Sequence, residues 1–124
     1  MLKNEELTFQ IRAAAIEVHR GLGPGLLESA YEECLCYELS QRDLAFERQL
    51  SLPVTYKNLK LDCGYRLDLV VEKTCVLELK AVEEISNVFR AQLLTYMKVG
   101  NYPVGLLINF NVPLLKDGIV RLVL

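Results

Sequence analysis

Residues 64–80, GYRLDLVVEKTCVLELK, constrain the fold more than any other stretch of the chain. Two short runs, 65–71 and 75–79, alternate in period 2 and are rich in Val and Leu, which predicts a β-hairpin. Asp68, Glu78 and Lys80 break the apolar pattern, and all three have even numbers. They therefore share strand faces with even-numbered neighbours, while Leu67, Leu69, Val71, Cys75, Leu77 and Leu79 point the other way. A two-residue turn would pair even with odd numbers and separate Asp68 from Glu78. A connection through Glu72, Lys73 and Thr74 sets Asp68 opposite Glu78, Arg66 opposite Lys80 and Leu69 opposite Leu77, so the apolar faces match. The expectation is an odd-length connection or a bulge.

Two carboxylates facing each other across a strand pair repel, so something must offset them. Two readings stand. In one, Arg66 and Lys80 neutralise the acids and the face is an ordinary charged sheet surface. In the other, a divalent cation lies between Asp68 and Glu78, with Lys80 beside it to meet a phosphate. Hard oxygen ligands suit Mg2+ or Mn2+ rather than zinc.

The remaining segments supply a scaffold. Leu7, Ile11, Ala14, Ala15 and Val18 predict an amphipathic helix over 4–20, closed by His19 as a dipole or capping partner. Gly21-Leu-Gly-Pro-Gly25 breaks it and lacks the pattern of a phosphate loop. A second helix is predicted over 26–41, with Leu27, Tyr31, Cys34 and Leu35 inward and Glu33 outward. Two β segments follow, 46–52 and 54–61, with Lys57-Asn58 marking a turn; Arg48, Tyr56, Lys57 and Lys60 form either a basic rim or a solvated strand face. Ser86 caps a third helix reaching residue 99, with Val88, Gln92, Tyr96 and Val99 on one side. The strand at 104–110 is uninterrupted by charge and, after a helical crossover, should join its predecessor in parallel. A last strand spans 119–124. The order ααββββαββ predicts a single α/β domain over 1–124 with a mixed sheet flanked by helices.

Several motifs carry a resemblance to a known family. Asp68 followed by Glu78-x-Lys80 resembles the active-site signature of the PD-(D/E)XK nuclease superfamily, whose fold is restriction-endonuclease-like. Gly25-Leu-Leu-Glu28-Ser-Ala-Tyr31 matches the motif of the GxxExxY family within it. LGPGLLESAYEE, ELKAVE, AQLLTYMK and GLLINFNVPLLKDGI extend the likeness from about Ile16 to the end. The resemblance implies a metal-dependent phosphodiester hydrolase acting on DNA or RNA. Asp68 and Glu78 would hold Mg2+ or Mn2+, the carbonyl of Leu79 would complete the shell, and Lys80 would position water or offset charge. Glu28 is either a first-turn acid complementing the helix dipole or, as the motif implies, a third acidic group. Gln92-x-x-x-Tyr96 resembles a motif of one branch of the superfamily, in which Gln92 would orient a water or Lys80 and Tyr96 would touch a phosphate or a base. A glutamine satisfied by backbone and a core tyrosine account for the pair equally well.

Composition sets bounds on that reading. The chain has 124 residues, 52% of them hydrophobic, and a net charge of −2, with a pI near 5.4. Such a balance argues against strong non-specific nucleic-acid binding and leaves a second function class open, a catalytically silent nuclease-fold module that binds a protein partner or nucleic acid. The N-terminal residues do not read as a secretory signal and no run reaches transmembrane length. The expected setting is cytoplasmic, off the membrane, with nucleic acid, a protein partner or a second copy paired through the last strand as candidate partners. Cys34, Cys36, Cys63 and Cys75 form no C-x-x-C pair and read as reduced packing residues.

Overall fold

The helical stripe of Leu7, Ile11, Ala14, Ala15 and Val18 is buried on α1 (Asn4–Leu22) in the computed structural model, which describes residues 4–62 and 64–124. Residues 1–3 and the expected packing role of Cys63 lie outside the described residues. His19 does not act as a helix cap: its Nε2 lies 3.1 Å from the carbonyl of Phe110 and 2.8 Å from that of Val112, so it braces a distant loop.

The glycine-rich break leads into α2 (Glu28–Gln41), which starts two residues later than predicted. Leu27 is its N-cap in extended conformation (φ −72°, ψ 151°). That places it out of helical phase, and it is 77% exposed rather than inward. Tyr31, Leu35, Cys36 and Leu39 form the buried stripe instead. Gly25 has φ +99°, a region L side chains rarely adopt. The Tyr31 hydroxyl donates to the Gly23 carbonyl at 2.6 Å and accepts from the Leu26 N–H at 3.1 Å, and its ring stacks on Phe110 at 4.3 Å. One side chain thus closes the turn and anchors it to the core.

Seven strands follow: β1 (Phe46–Ser51), β2 (Val54–Tyr56), β3 (Leu59–Leu61), β4 (Arg66–Val71), β5 (Cys75–Lys80), and, beyond α3 (Asn87–Gly100), β6 (Val104–Asn109) and β7 (Ile119–Val123). A 3-10 turn, Leu115–Gly118, precedes β7. Residues 54–61, read as one β segment, fold back at Lys57-Asn58 into the separate hairpin β2–β3, with Lys57 at φ +54°. The other five strands form one sheet in the order β1-β4-β5-β6-β7. The β5–β6 pair is parallel, as the helical crossover predicts, and the other pairs are antiparallel. The chain is thus an α/β fold with a mixed five-stranded sheet and three helices. No helix among the described residues is long and apolar enough to cross a membrane.

Helices α1 and α2 cover one sheet face, burying Leu69, Val71, Cys75, Leu77, Leu79, Leu106 and Ile108. Helix α3 covers the other through Leu93 and Met97 on Val70, Val76 and Leu107. Gly105 lets α3 sit close, because a Cβ there would meet Met97 Sδ at 2.8 Å. Alternation predicts these faces for every β4–β5 position but one. Leu67 packs with Val70 and Val76 on the α3 side, so parity breaks at Asp68. Directly across from Asp68, Gln49 of β1 has φ +49°, and the β1–β4 register skips that pair. The strand is distorted where its carboxylate sits.

Candidate active site

The β4–β5 hairpin is built from its turn. Glu72 and Lys73 both have positive φ, 53° and 54°, and Thr74 N–H donates to the Val71 carbonyl at 3.0 Å, the geometry of a type I′ turn. Val71 nevertheless pairs with Cys75, leaving Thr74 as an extra residue, so the connection is odd in length as expected. The ladder then runs Val71–Cys75, Val70–Val76, Leu69–Leu77 and stops. Asp68 and Glu78 come next in register but share no backbone pairing, and the expected Arg66–Lys80 pair does not form; Arg66 pairs with Ser51 of β1 instead.

Carboxylates take the place of the missing rungs. Glu78 Oε2 accepts the Asp68 N–H at 2.9 Å, and Asp68 Oδ2 accepts the Leu79 N–H at 2.8 Å. Each acid thus satisfies a backbone donor that the opened ladder would otherwise leave unpaired. Along a strand a residue's N–H and C=O point to the same side, so the Leu79 carbonyl also faces this opening. One residue further on, Lys80 C=O accepts from Phe110 N–H on the β6 side at 2.9 Å.

Glu28 reaches the same end of the sheet from the first turn of α2, its Oε2 accepting the Ala81 N–H at 3.1 Å. The motif residues Gly25, Glu28 and Tyr31 therefore form one device: a glycine that makes the turn, a tyrosine that closes it, and a glutamate that ties the helix to the exit of β5. Lys80 places its Nζ 4.4 Å from the centre of the Phe89 ring on α3. Tyr96 lies on the same helix within electrostatic reach of Glu78 and Asp68, and Gln92 is exposed one turn before it.

Neither Arg66 nor Lys80 forms an ion pair with the acids, although the charge of Lys80 is near enough to lower both carboxyls. Among the described residues, no Lys or Arg nitrogen lies within 4 Å of the Asp68 or Glu78 carboxylate. Burial, and after it the charge of Asp68, raises the Glu78 carboxyl to about 7. Asp68 is raised as well, chiefly by burial and further by Glu32 and Glu28, against the lowering effects of the Leu79 N–H and the Lys80 charge. Tyr96 is pushed up by burial and then by Glu78. The opening is thus half-dry, and its two acids are offset only in part, by the nearby charge of Lys80.

This donor set fits a hard divalent cation: two carboxylates and a main-chain carbonyl, with no protein cation in contact. Among the described residues no three His, Cys, Asp or Glu side chains converge into a preformed metal cluster, so the chain offers two carboxylates and Glu28 at a remove.

Asn109 escaped the sequence reading, and Arg48 has partners that the reading did not name. Asn109, 2% exposed, accepts the N–H groups of Val82 at 3.0 Å and Asn111 at 3.2 Å, and donates to the Val82 carbonyl at 2.9 Å. It fixes the chain just after Lys80; a polar residue ending the apolar run VGLLIN was the available signal. Arg48 belongs to no basic rim, because it donates to Glu32 at 2.9 Å and Glu33 at 2.9 Å while Gln49 donates to Glu32 at 2.9 Å. Only the fold brings these distant positions together.

Residues 5–122 match the family model of the PD-(D/E)XK nuclease superfamily. Comparisons with curated proteins and with solved structures each gave no significant match.

Proposed function

The chain belongs to the PD-(D/E)XK nuclease superfamily, and from that premise we propose that it is a metal-dependent phosphodiester hydrolase of DNA or RNA, in the GxxExxY branch, with its site at the open end of the β4–β5 hairpin. The observation that carries the reading is a buried Glu78 carboxylate and a half-buried Asp68 carboxylate that cross-bond the backbone where the ladder ends and form no salt bridge among the described residues. Asp68, Glu78 and the Leu79 carbonyl would hold Mg2+ or Mn2+, with Glu28 assisting. When bound, such an ion polarises a phosphoryl oxygen and acidifies water at neutral pH.

The chain's own residues do the rest. Lys80, held over an aromatic ring beside the acids, brings a positive charge to the scissile phosphate and offsets the charge that develops there. Gln92 orients the attacking water, and Tyr96 contacts a phosphate oxygen or a base. Asn109 is a positioning residue, clamping residue 82 so that the end of β5 keeps its aim. The second reading, a non-cleaving module that binds nucleic acid or a protein, draws on the lack of a preformed three-acid cluster among the described residues and on the low pI.

The test is a magnesium-dependent cleavage assay on single- and double-stranded DNA and RNA. Asp68→Ala should lose cleavage and metal binding together. Lys80→Ala should lose cleavage yet retain metal binding, because a charged lysine has no lone pair for an ion. Equal cleavage by wild type and both variants would refute the assignment, and an inert wild type would favour the module.

A further inference from the structure

Beside the acids, a groove of about 400 Å³ runs between the β2–β3 hairpin and the outer side of α3. Val54, Leu61 and Tyr65 line one wall and Val88, Gln92 and Tyr96 the other. Apolar surface that a packed core would bury lies open here: Val88 is 73% exposed and Tyr65 43%. At one end Tyr65 and Tyr96 form a tilted aromatic pair with ring centres 6.2 Å apart. Tyr96 is the member within reach of Glu78 and Asp68. Tyr65 stands three residues before Asp68 in the chain, so this part of the groove adjoins the carboxylates.

Charge identifies the occupant. The chain as a whole is acidic, yet the elements that wall the groove, the β2–β3 hairpin (residues 54–61) and α3 (residues 87–100), carry Lys57, Lys60, Arg90 and Lys98 and no Asp or Glu. Both walls of the groove are thus built from the segments that have shed negative charge. A polyanion with flat apolar faces satisfies both features, its phosphates meeting the cations and its bases entering the groove. A continuous duplex keeps its base faces stacked internally and has none to offer.

We propose that this groove binds the unpaired bases of a single-stranded nucleic acid and feeds the adjoining phosphate to the Asp68–Glu78 opening. The inference rests on the nuclease reading for the fate of that phosphate, but the binding itself needs no catalysis. Base–aromatic stacking is sequence-tolerant, so the groove selects strand state rather than sequence.

Fluorescence anisotropy of the full chain in EDTA separates the two claims. The probes are labelled dT12, labelled rU12 and a labelled 12-base-pair duplex at one low salt concentration. The single strands should bind about tenfold more tightly than the duplex, and the two single strands report whether DNA or RNA is preferred. Val88→Glu, at an exposed position, and Tyr65→Ala should each weaken single-strand binding about tenfold, with Tyr65→Phe restoring it. Far-UV circular dichroism checks that each variant is folded. Equal or tighter duplex binding overturns the proposal, as does a folded Val88→Glu that binds dT12 and rU12 like wild type. Capture of a protein ligand by the groove with no affinity for either oligonucleotide overturns it also. Single-strand preference without magnesium-dependent cleavage upholds the groove and defeats the nuclease reading; cleavage without that preference does the reverse.

Discussion

The two ends of the β4–β5 hairpin are a few residues apart and obey opposite rules. Toward the turn, Val71–Cys75, Val70–Val76 and Leu69–Leu77 pair in register, with apolar side chains buried on both faces of the sheet. Toward the opening, the backbone pairing ends and two acids occupy the gap. The closed end gains stability from burial, while the open end holds like charges in a low-dielectric setting and loses some. That contrast is what the proposed site requires, since a functional site gives up stability for chemistry.

The largest effect should come from disturbing the closed end. Leu77→Ala removes a fully buried side chain and should cost about 4 kcal/mol, lowering the midpoint of urea or thermal unfolding. Metal response in the folded fraction should persist. If Leu77→Ala instead erased the metal response while remaining folded, the two ends would be one cooperative unit and the contrast would fail.

Acidity probes the open end. The folded-state Glu78 carboxyl lies near 7, above its ordinary value of 4.5. Below 4.5 it is protonated in both states. Between 4.5 and 7 the unfolded chain ionises first, so the stability of the metal-free protein should fall by about 3 kcal/mol as pH rises through that window and level off above it. Asp68, also raised, adds to the fall. Chemical denaturation in EDTA across this range measures it, and Glu78→Gln should flatten the curve. A stability that climbs from pH 4.5 to 7 would contradict the burial of a poorly compensated charge.

Much of this contrast was legible in the sequence. Even and odd numbering, together with the three residues between the runs, assigned Leu69 to Leu77 and set Asp68 against Glu78. Parity could not foresee that the backbone pairing would stop there, because an opened ladder depends on what fills it, and Glu78 accepts the N–H of Asp68 itself. Leu67 was misassigned for the same reason: the distortion at Asp68 and Gln49 is a property of three strands rather than of one. The period of the chain marks helix α2, but leucines at 26 and 27 also look helical and apolar while Gly25 holds them in the turn, so the helix begins only at Glu28. Residues 54–61 carry a turn signal at Lys57-Asn58, and with Lys57 at positive φ that turn detaches a separate hairpin from the sheet. Tyr31 and Asn109 act through contacts with remote backbone, which no local pattern encodes.

A smaller effect tests the support between the two ends. Tyr31→Phe keeps the stacking on Phe110 but removes the hydroxyl that bonds Gly23 and Leu26. It should cost about 1 kcal/mol and loosen the approach of Glu28, so protection of the Ala81 amide against hydrogen exchange should drop. Unchanged protection would mean that the turn and the acid are independent. Smaller still, Lys73→Gly relieves a positive-φ residue in the hairpin turn and should stabilise the fold by up to about 1 kcal/mol, with no change at the open end.

If the open end holds a charge pair that a cation completes, thermal unfolding at pH 7.5 must respond to magnesium at matched ionic strength. An ion that binds only the folded state stabilises it by about 2.7 kcal/mol at a hundredfold excess over its dissociation constant. Wild type should therefore melt higher in magnesium than in EDTA. Asp68→Asn should begin above wild type in EDTA, since one repelling charge is gone, and should gain less from the ion. A wild type indifferent to magnesium and manganese, with Asp68→Asn no more stable than it in EDTA, would contradict the account.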